Sequence, residues 1–543
     1  MRTCAIAVAL ALAALTLPAC QGRHQRPACP TGQICFLLGN GAEPGSLDPA
    51  KIDGVWEGNI VGELIEGLTD VDANGRPVPG IAKSWSVSPD GLTWTFQLRD
   101  AQWSDGVAVT ADDFVFGIRR LMDPKTAANS AFIDYAIVNG KEVNSGRLPL
   151  TALGVSAPDP HTVVIRLVHP WPILPLFASG RTFWPAPRHA VERWGDAWTR
   201  PGRYVGDGPY SLVSWKLGDR VVVARNPRFW DAAHVCIDQI AFYPTNDAVS
   251  AERRVRAGEI DAMENVQSNR LAFLRRTGMS AYLRVAPQWG LTYLTFNLRG
   301  APALRDVRVR QALSMAIDRD FITRKLLRGG QTPAYSYVPH TDDYPGGPRV
   351  YWAGWSFERR QAEARRLLTA AGYGPGEPLK LVITHRNSPD PILFLPSIQA
   401  DWREVGVDVQ LRQNETQVAY ETYQTGDYDV GDAGWAGADA MTYLELERSD
   451  TGPLNYGQYR NPAFDETLDA ANREPDIGRR AALMARAEQI LLDDAPLAPI
   501  FFLSSRDLVN PNITGWLDNP TDAHQVRWMC VRRPVSTSEA PPG

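Results

Sequence analysis

Sixty-one Asp and Glu, eight His, six Cys and 17 Trp are the chemistry available to this 543-residue chain. Nucleophilic and metal-dependent catalysis need particular residues at fixed spacings, and none of those spacings occurs. There is no HExxH to seat zinc, no GxSxG elbow, no SxxK, no GxxxxGK[ST] phosphate loop and no GxGxxG following a strand. No two histidines stand at i and i+4, the spacing that would put two imidazoles on one helix face. Paired carboxylates could hydrolyse a glycosidic bond. With this many acids some pair is inevitable, however, and solvated faces, helix caps and ion pairs account for them. Trp-rich grooves do occur in carbohydrate enzymes, yet most Trp here alternate with polar residues as strand core positions. No residue pattern supports an enzyme.

The cysteines are read together with the amino terminus. Arg2 followed by the apolar run Ala5 to Leu17 describes a secretory signal peptide over residues 1–19. At about 13 residues the run is too short to cross a bilayer as a mature helix. It ends Leu17-Pro18-Ala19-Cys20, which resembles a bacterial lipobox with Cys20 as the lipidated residue, and residues 20–29 then form a polar tether. Cys4 leaves with the signal, so Cys29, Cys35, Cys236 and Cys530 remain as an even set matching no zinc spacing. In an oxidising compartment they are expected to pair, Cys29 with Cys35 and Cys236 with Cys530.

The elements that must position any site are those of an exported globular protein. A net charge of −5, with 44% hydrophobic and 22% charged residues, offers no basic footprint for nucleic acid. Mean hydropathy of −0.25 excludes a polytopic membrane protein. Leu92, Trp94, Phe96 and Leu98 alternate with Thr93, Thr95, Gln97 and Arg99, which predicts a half-buried strand in a hairpin turning at Pro89-Asp90-Gly91. Thr110 and Asp113 form a capping box for a helix carrying Phe114, Ile118 and Leu121 and stopped at Asp123-Pro124. A second hairpin spans Tyr210 to Arg225. Downstream, helices and strands alternate: a helix capped by Ser356, a strand at Leu379 to Thr384, a helix from Ile398, and a strand at Val407 to Leu411. A helix from Arg479 to Leu492 and a strand at Ala498 to Leu503 follow. Residues 533–543 have nothing to bury and are expected to be a disordered tail.

A chain of motifs then gives a family. Glu66-Gly67-Leu68-Thr69, Val78-Pro79-Gly80-Ile81-Ala82-Lys83-Ser84-Trp85, Asp90-Gly91-Leu92-Thr93-Trp94 and Trp103-Ser104-Asp105-Gly106 come in order. Gly208-Pro209-Tyr210, Asn226-Pro227-Arg228-Phe229-Trp230, Asp306-Val307-Arg308-Val309-Arg310-Gln311-Ala312-Leu313 and Asn461-Pro462-Ala463-Phe464-Asp465 follow. Over residues 35 to 532 this order resembles the extracellular solute-binding proteins (family 5) of peptide ABC transporters, closest to the oligopeptide-binding lipoproteins.

The resemblance implies an α/β, two-lobed periplasmic-binding-protein-like fold (type II, cluster C) with an extra subdomain in the first lobe. Lobe one would hold 30–289 and 500–532, with 66–186 as the subdomain, and lobe two 290–499. It further implies a lipid-anchored, monomeric, non-catalytic receptor without cofactor, in the periplasm or on the extracytoplasmic face. Such a receptor captures extended peptides and delivers them to permease subunits. The alternatives are a non-peptide solute (oligosaccharide, metal chelate, cell-wall peptide) in the same fold and, from another class, an exported hydrolase.

By the same resemblance the peptide would add main-chain hydrogen bonds to a strand-like segment at Asp53, Gly54, Val55, Trp56 and Glu57, and to another at Gly434, Trp435 and Ala436. Relatives hold the ligand ammonium with an Asp three residues after the Trp. Here that position is Ala438 and the Asp comes one later, so Asp439 either reaches the ammonium through a shifted loop or matches a structural Asp. Where oligopeptide-binding relatives carry basic residues for the ligand carboxylate, this chain has Tyr423 and Asp432. Together with Asp53 these predict an acidic site favouring cationic or C-terminally blocked peptides.

Overall fold

The structure, a computed structural model, describes residues 26–27, 29–374 and 376–532. The signal peptide, Cys20, most of the tether and the 533–543 tail lie outside the described residues. Of the tether, Arg26 is held by two bonds to Asp261, at 2.6 and 2.8 Å.

One eleven-stranded sheet runs through both lobes. In spatial order it comprises Val407–Asn414, Leu379–Arg386, Val430–Trp435, Leu283–Phe296, Leu497–Val509, Ala262–Met263, Cys35–Gly39, Gln239–Tyr243, Arg220–Arg225 and Tyr210–Lys216, with Thr332–Pro333 paired off Leu497–Val509. Leu283–Phe296 and Leu497–Val509 are antiparallel and long enough to belong to both lobes. Their register breaks between Pro287 and Leu291, so one half of the pair serves each lobe. Proline cannot donate to the ladder, and Gly290 lacks the Cβ that would collide with Leu503. A bulge bends the strand that carries it, which marks this point as the candidate pivot between the lobes. The expected boundaries at 289/290 and 499/500 fall inside these strands.

The residues around the pivot belong to separate cores. Phe36, Ile60, Leu64, Phe96, Trp103, Phe114, Trp198 and Tyr210 are buried together with Trp516 and Val526, which brings the carboxy-terminal segment back to the first lobe. Leu294, Leu313, Ile383, Phe394, Trp402 and Ile500 form the second lobe's core. Within the first lobe a separate four-stranded sheet, ordered Ala82–Val87, Thr93–Leu98, Thr162–Arg166, Val155–Asp159, carries the Ala111–Met122 helix. Trp94 and Phe96 of its alternating strand are 5% and 0% exposed and Gln97 is exposed. The capping box at Thr110 and Asp113 is formed.

In lobe two the Ser356 hydroxyl accepts from the Arg359 N–H, and the helix runs Phe357–Ala370 to a left-handed Gly372. The next helix begins at Pro389 rather than near Ile398. Pro389 and Pro391 occupy the first turn, where an N–H has no partner within the helix, so they start it rather than break it. Cys29 is bonded to Cys35 and Cys236 to Cys530. Among the described residues no helix is long and apolar enough to cross a membrane.

Candidate functional site

Between the lobes lie two cavities of about 450 and 400 Å³. The first is walled by Gly434, Trp435 and Ala436, by Arg386 and Asp390 of lobe two, and by Asn265 and Arg506 across from them. The second is walled by Gly54, Val55, Asn59 and His524 of lobe one, with Ala438 facing from lobe two.

Lobe two offers a backbone edge. Val430–Trp435 pairs with Leu283–Phe296 on one side as far as Trp435. On its other side only Val430 and Gly431 pair, with Ile383 and Thr384. Beyond Gly431 that ladder stops: Asp432 is held by the end of the Leu379–Arg386 strand through the Arg386 N–H, and Gly434 to Ala436, with no strand beside them on that side among the described residues, line the first cavity. Trp435 adds an indole Nε1–H that is buried and has no hydrogen-bond partner among the described residues. A buried orphan donor is costly, so its setting suits a partner supplied from the cleft.

Lobe one differs from the expectation. Val55 and Trp56 do not lie on an extended segment; they open the Val55–Leu64 helix, with Gly54 as its N-cap. The reason is Glu57. Its Oε2 accepts from the N–H groups of Asp53 and Gly54, both at 3.0 Å, and its Oε1 from Gly45 and Ser46 at 2.8 and 3.2 Å. The donors an added strand would use are already engaged. The Asp53 carbonyl accepts from Arg181 and its exposed carboxylate from Asn129 at 2.7 Å. Val55 is 67% exposed and lines the second cavity. Trp56 instead folds back over Gly54, where any Cβ would collide with the indole.

The acidic end expected at Asp432 is also corrected. Asp432 is fully buried and accepts three bonds from Arg386: its backbone N–H at 2.8 Å, its Nε at 2.8 Å and its Nη2 at 2.7 Å. Tyr423, equally buried, donates its hydroxyl to Asp432 at 3.1 Å and to the Thr384 carbonyl at 2.9 Å. Burial lowers the Arg386 pKa, but the Asp432 carboxylate more than offsets this and holds the guanidinium protonated. A fork of five donors with three bonded, the third being Nη1 to the Tyr420 hydroxyl at 3.0 Å, leaves two N–H groups on a residue that lines the first cavity. The wall that was to repel a carboxylate therefore carries Arg386, and Arg506 lines the same cavity.

Asp439 has the structural role of the two left open. It is 3% exposed, caps the Ala440–Glu445 helix through the Thr442 N–H at 2.7 Å, and lines neither cavity. Burial, with the neighbouring Asp343 carboxylate, pushes its pKa up to about 7.

Sequence reasoning missed Arg386, Asp390, Arg506 and His524. Arg386 ends a strand whose neighbours in the sheet are parallel to it, and the carboxyl ends of such strands are where ligands collect. That signal was available in the strand at Leu379 followed by Ser388-Pro389.

Two α/β lobes joined by a pair of bulged crossing strands, with backbone and side-chain donors facing the gap, define a hinge-type binding protein. The chain belongs to the bacterial extracellular solute-binding proteins, family 5, whose profile (the middle region) matches residues 76–453. It is similar to the periplasmic oligopeptide-binding protein OppA of Escherichia coli, at 36% identity over 503 residues covering 91% of this chain and 92% of the relative. Among solved structures it is similar to the unliganded open form of the periplasmic murein tripeptide-binding protein MppA. That match has a TM-score of 0.81 at 35% identity and covers 92% of this chain and 98% of the other. Haemophilus influenzae OppA in complex with the peptide RPPGFSPFR matches with a TM-score of 0.78 at 32% identity, covering 92% and 99%.

Proposed function

We propose that this protein is a lipid-anchored receptor that captures an extended peptide between its lobes and presents it to the permease of an ABC importer. The observation that carries the proposal is the unpaired backbone edge at Gly434 to Ala436, which lines a cavity of about 450 Å³ together with Trp435, whose indole N–H has no partner among the described residues. An extended peptide completes such an edge with main-chain hydrogen bonds, which give affinity without reading side chains. The relatives named for oligopeptides and murein tripeptide support the same ligand class. Arg386 supplies a cation for the ligand's carboxyl end in place of the basic residues its relatives carry near Asp432. The anchor is Cys20.

Native mass spectrometry of protein purified without denaturation tests the ligand class. A retained ladder of peptide masses is expected, while a single sugar or metal chelate overturns the proposal. Saturation at one ligand per chain with no product separates a receptor from a hydrolase. Matched free-acid and amidated peptides test Arg386: the amide is expected to bind no better than the acid, and a clear preference for the amide contradicts the assignment. Cys20→Ala is expected to release the protein from the membrane fraction.

A further inference from the structure

At the lobe-one wall, where His524 lines the second cavity, Asp507, Asp522 and His524 converge so that one ligand atom from each lies within 4.8 Å of the others. Asp507 comes from the crossing strand Leu497–Val509, and Asp522 and His524 from the carboxy-terminal segment that covers it. His524 Nε2 lies 3.1 Å from Asp522 Oδ1 and 3.8 Å from Asp507 Oδ2. The side chains of His524, Asp507 and Asp522 are 3%, 2% and 11% exposed. Trp516 stacks on the imidazole at 4.1 Å between ring centroids and sets its orientation.

The neighbouring arginines do not pair with these aspartates. Arg284, paired across the ladder with Asp507, turns to Asp518 at 2.9 Å. Arg506, the preceding residue, donates to the Val266 carbonyl. Glu264 lies close enough to repel both aspartates. A second, independent observation points to a ligand: Asp507 Oδ1 is buried and accepts no hydrogen bond among the described residues, although its sister oxygen faces His524. A buried carboxylate oxygen without a donor is expensive, and a cation satisfies it as a hydrogen bond would.

We propose that Asp507, Asp522 and His524 bind a divalent transition-metal ion that staples the carboxy-terminal segment to the crossing strand. The donor set, one imidazole nitrogen and two carboxylate oxygens, is that of zinc-like ions. Ligand bonds of about 2.0–2.1 Å in a tetrahedron put ligand atoms roughly 3.4 Å apart. The observed 3.1 and 3.8 Å need only small side-chain adjustments. Three protein ligands leave a fourth position for water. The site goes beyond the peptide proposal and is independent of it, since none of the three side chains is needed for the lobe-two edge.

The test uses the untagged protein, stripped with EDTA and titrated with Co²⁺ by visible absorption and with Zn²⁺ by calorimetry. One ion per chain is expected, with the d–d bands of a low-coordinate nitrogen/oxygen site and a rise in melting temperature. Asp507→Asn and His524→Gln, both close in shape to the residues they replace, are each expected to weaken uptake by at least roughly 100-fold. Asp507→Asn is also expected to leave the metal-free melting temperature unchanged or raised, because it removes a repelling charge. Absence of one-to-one uptake, or uptake of equal affinity in a folded variant, overturns the proposal. Should one variant fail to fold, the other decides.

Discussion

The two backbone segments that face each other across the cleft have opposite states. Gly434 and Trp435 end a strand with one edge paired and the other open on the cavity. Asp53 and Gly54 have their N–H groups bonded to Glu57 and lead into a helix. Both segments match ligand-contacting stretches of the family in sequence, yet only one retains free main-chain capacity. Under the proposed function a peptide is templated on lobe two, and lobe one closes over it with side chains and the exposed Val55. Affinity and closure are assigned to different lobes.

The largest expected effect comes from breaking the lobe-one closure. Glu57→Ala leaves four backbone N–H groups without their acceptor and is expected to lower stability by about 3–5 kcal/mol in denaturant unfolding. Loss below about 1 kcal/mol would mean those N–H groups find other partners and could serve a ligand. Next is the lobe-two anchor. Asp432→Asn leaves Arg386 buried without its counter-ion and should cost about 3 kcal/mol, with much of it restored when Arg386→Met is added.

A pH titration sharpens the contrast between buried carboxylates. Glu57 has four donors, whereas Glu447 of lobe two is 3% exposed with one donor, the Tyr337 hydroxyl at 3.2 Å. Burial, partly offset by that bond, pushes the Glu447 pKa up from 4.5 to about 7. The folded state holds this proton more tightly than the unfolded chain does. Its contribution is therefore fully present below pH 4.5 and lost as pH rises to about 7. Glu447→Gln, neutral throughout, is expected to remove about 2–3 kcal/mol of that decline in midpoints measured from pH 4.5 to 8. An unchanged slope contradicts the assignment.

Smaller effects concern the ligand. Trp435→Phe deletes only the orphan N–H and is expected to weaken peptide binding about tenfold, or about 1.4 kcal/mol, with stability unchanged. Asp53→Asn is expected to alter affinity by less than about twofold, because its carboxylate is exposed and bonded to Asn129. A tenfold loss at Asp53 would reverse the assignment of the two lobes.

Local elements were readable in the sequence wherever the pattern is local. The alternation from Leu92 to Leu98, the Thr110–Asp113 box and the Ser356 cap each specify their element within a few residues. Of the crossing strands, Ala498 to Leu503 was readable as part of Leu497–Val509, whereas Leu283–Phe296 was not, because Pro287 and Gly290 interrupt its alternation where the register shifts. The site was read through family positions, which located Gly434 to Ala436 but misassigned Asp432. Its partner Arg386 lies 46 residues away and meets it only through the parallel pairing of two strands. Linear spacing holds no trace of that pair. The segment at Asp53 looked extended because its helix start depends on a buried glutamate rather than on Ser, Thr or Asn at the cap.

The most direct measurement is residue-resolved amide hydrogen exchange with and without a tripeptide library. Protection is expected to appear at Trp435 and Ala436 on binding, while Asp53 and Gly54 are protected beforehand and change little. New protection at Asp53 and Gly54, with none at Trp435 and Ala436, would contradict the assignment of the peptide to the lobe-two edge.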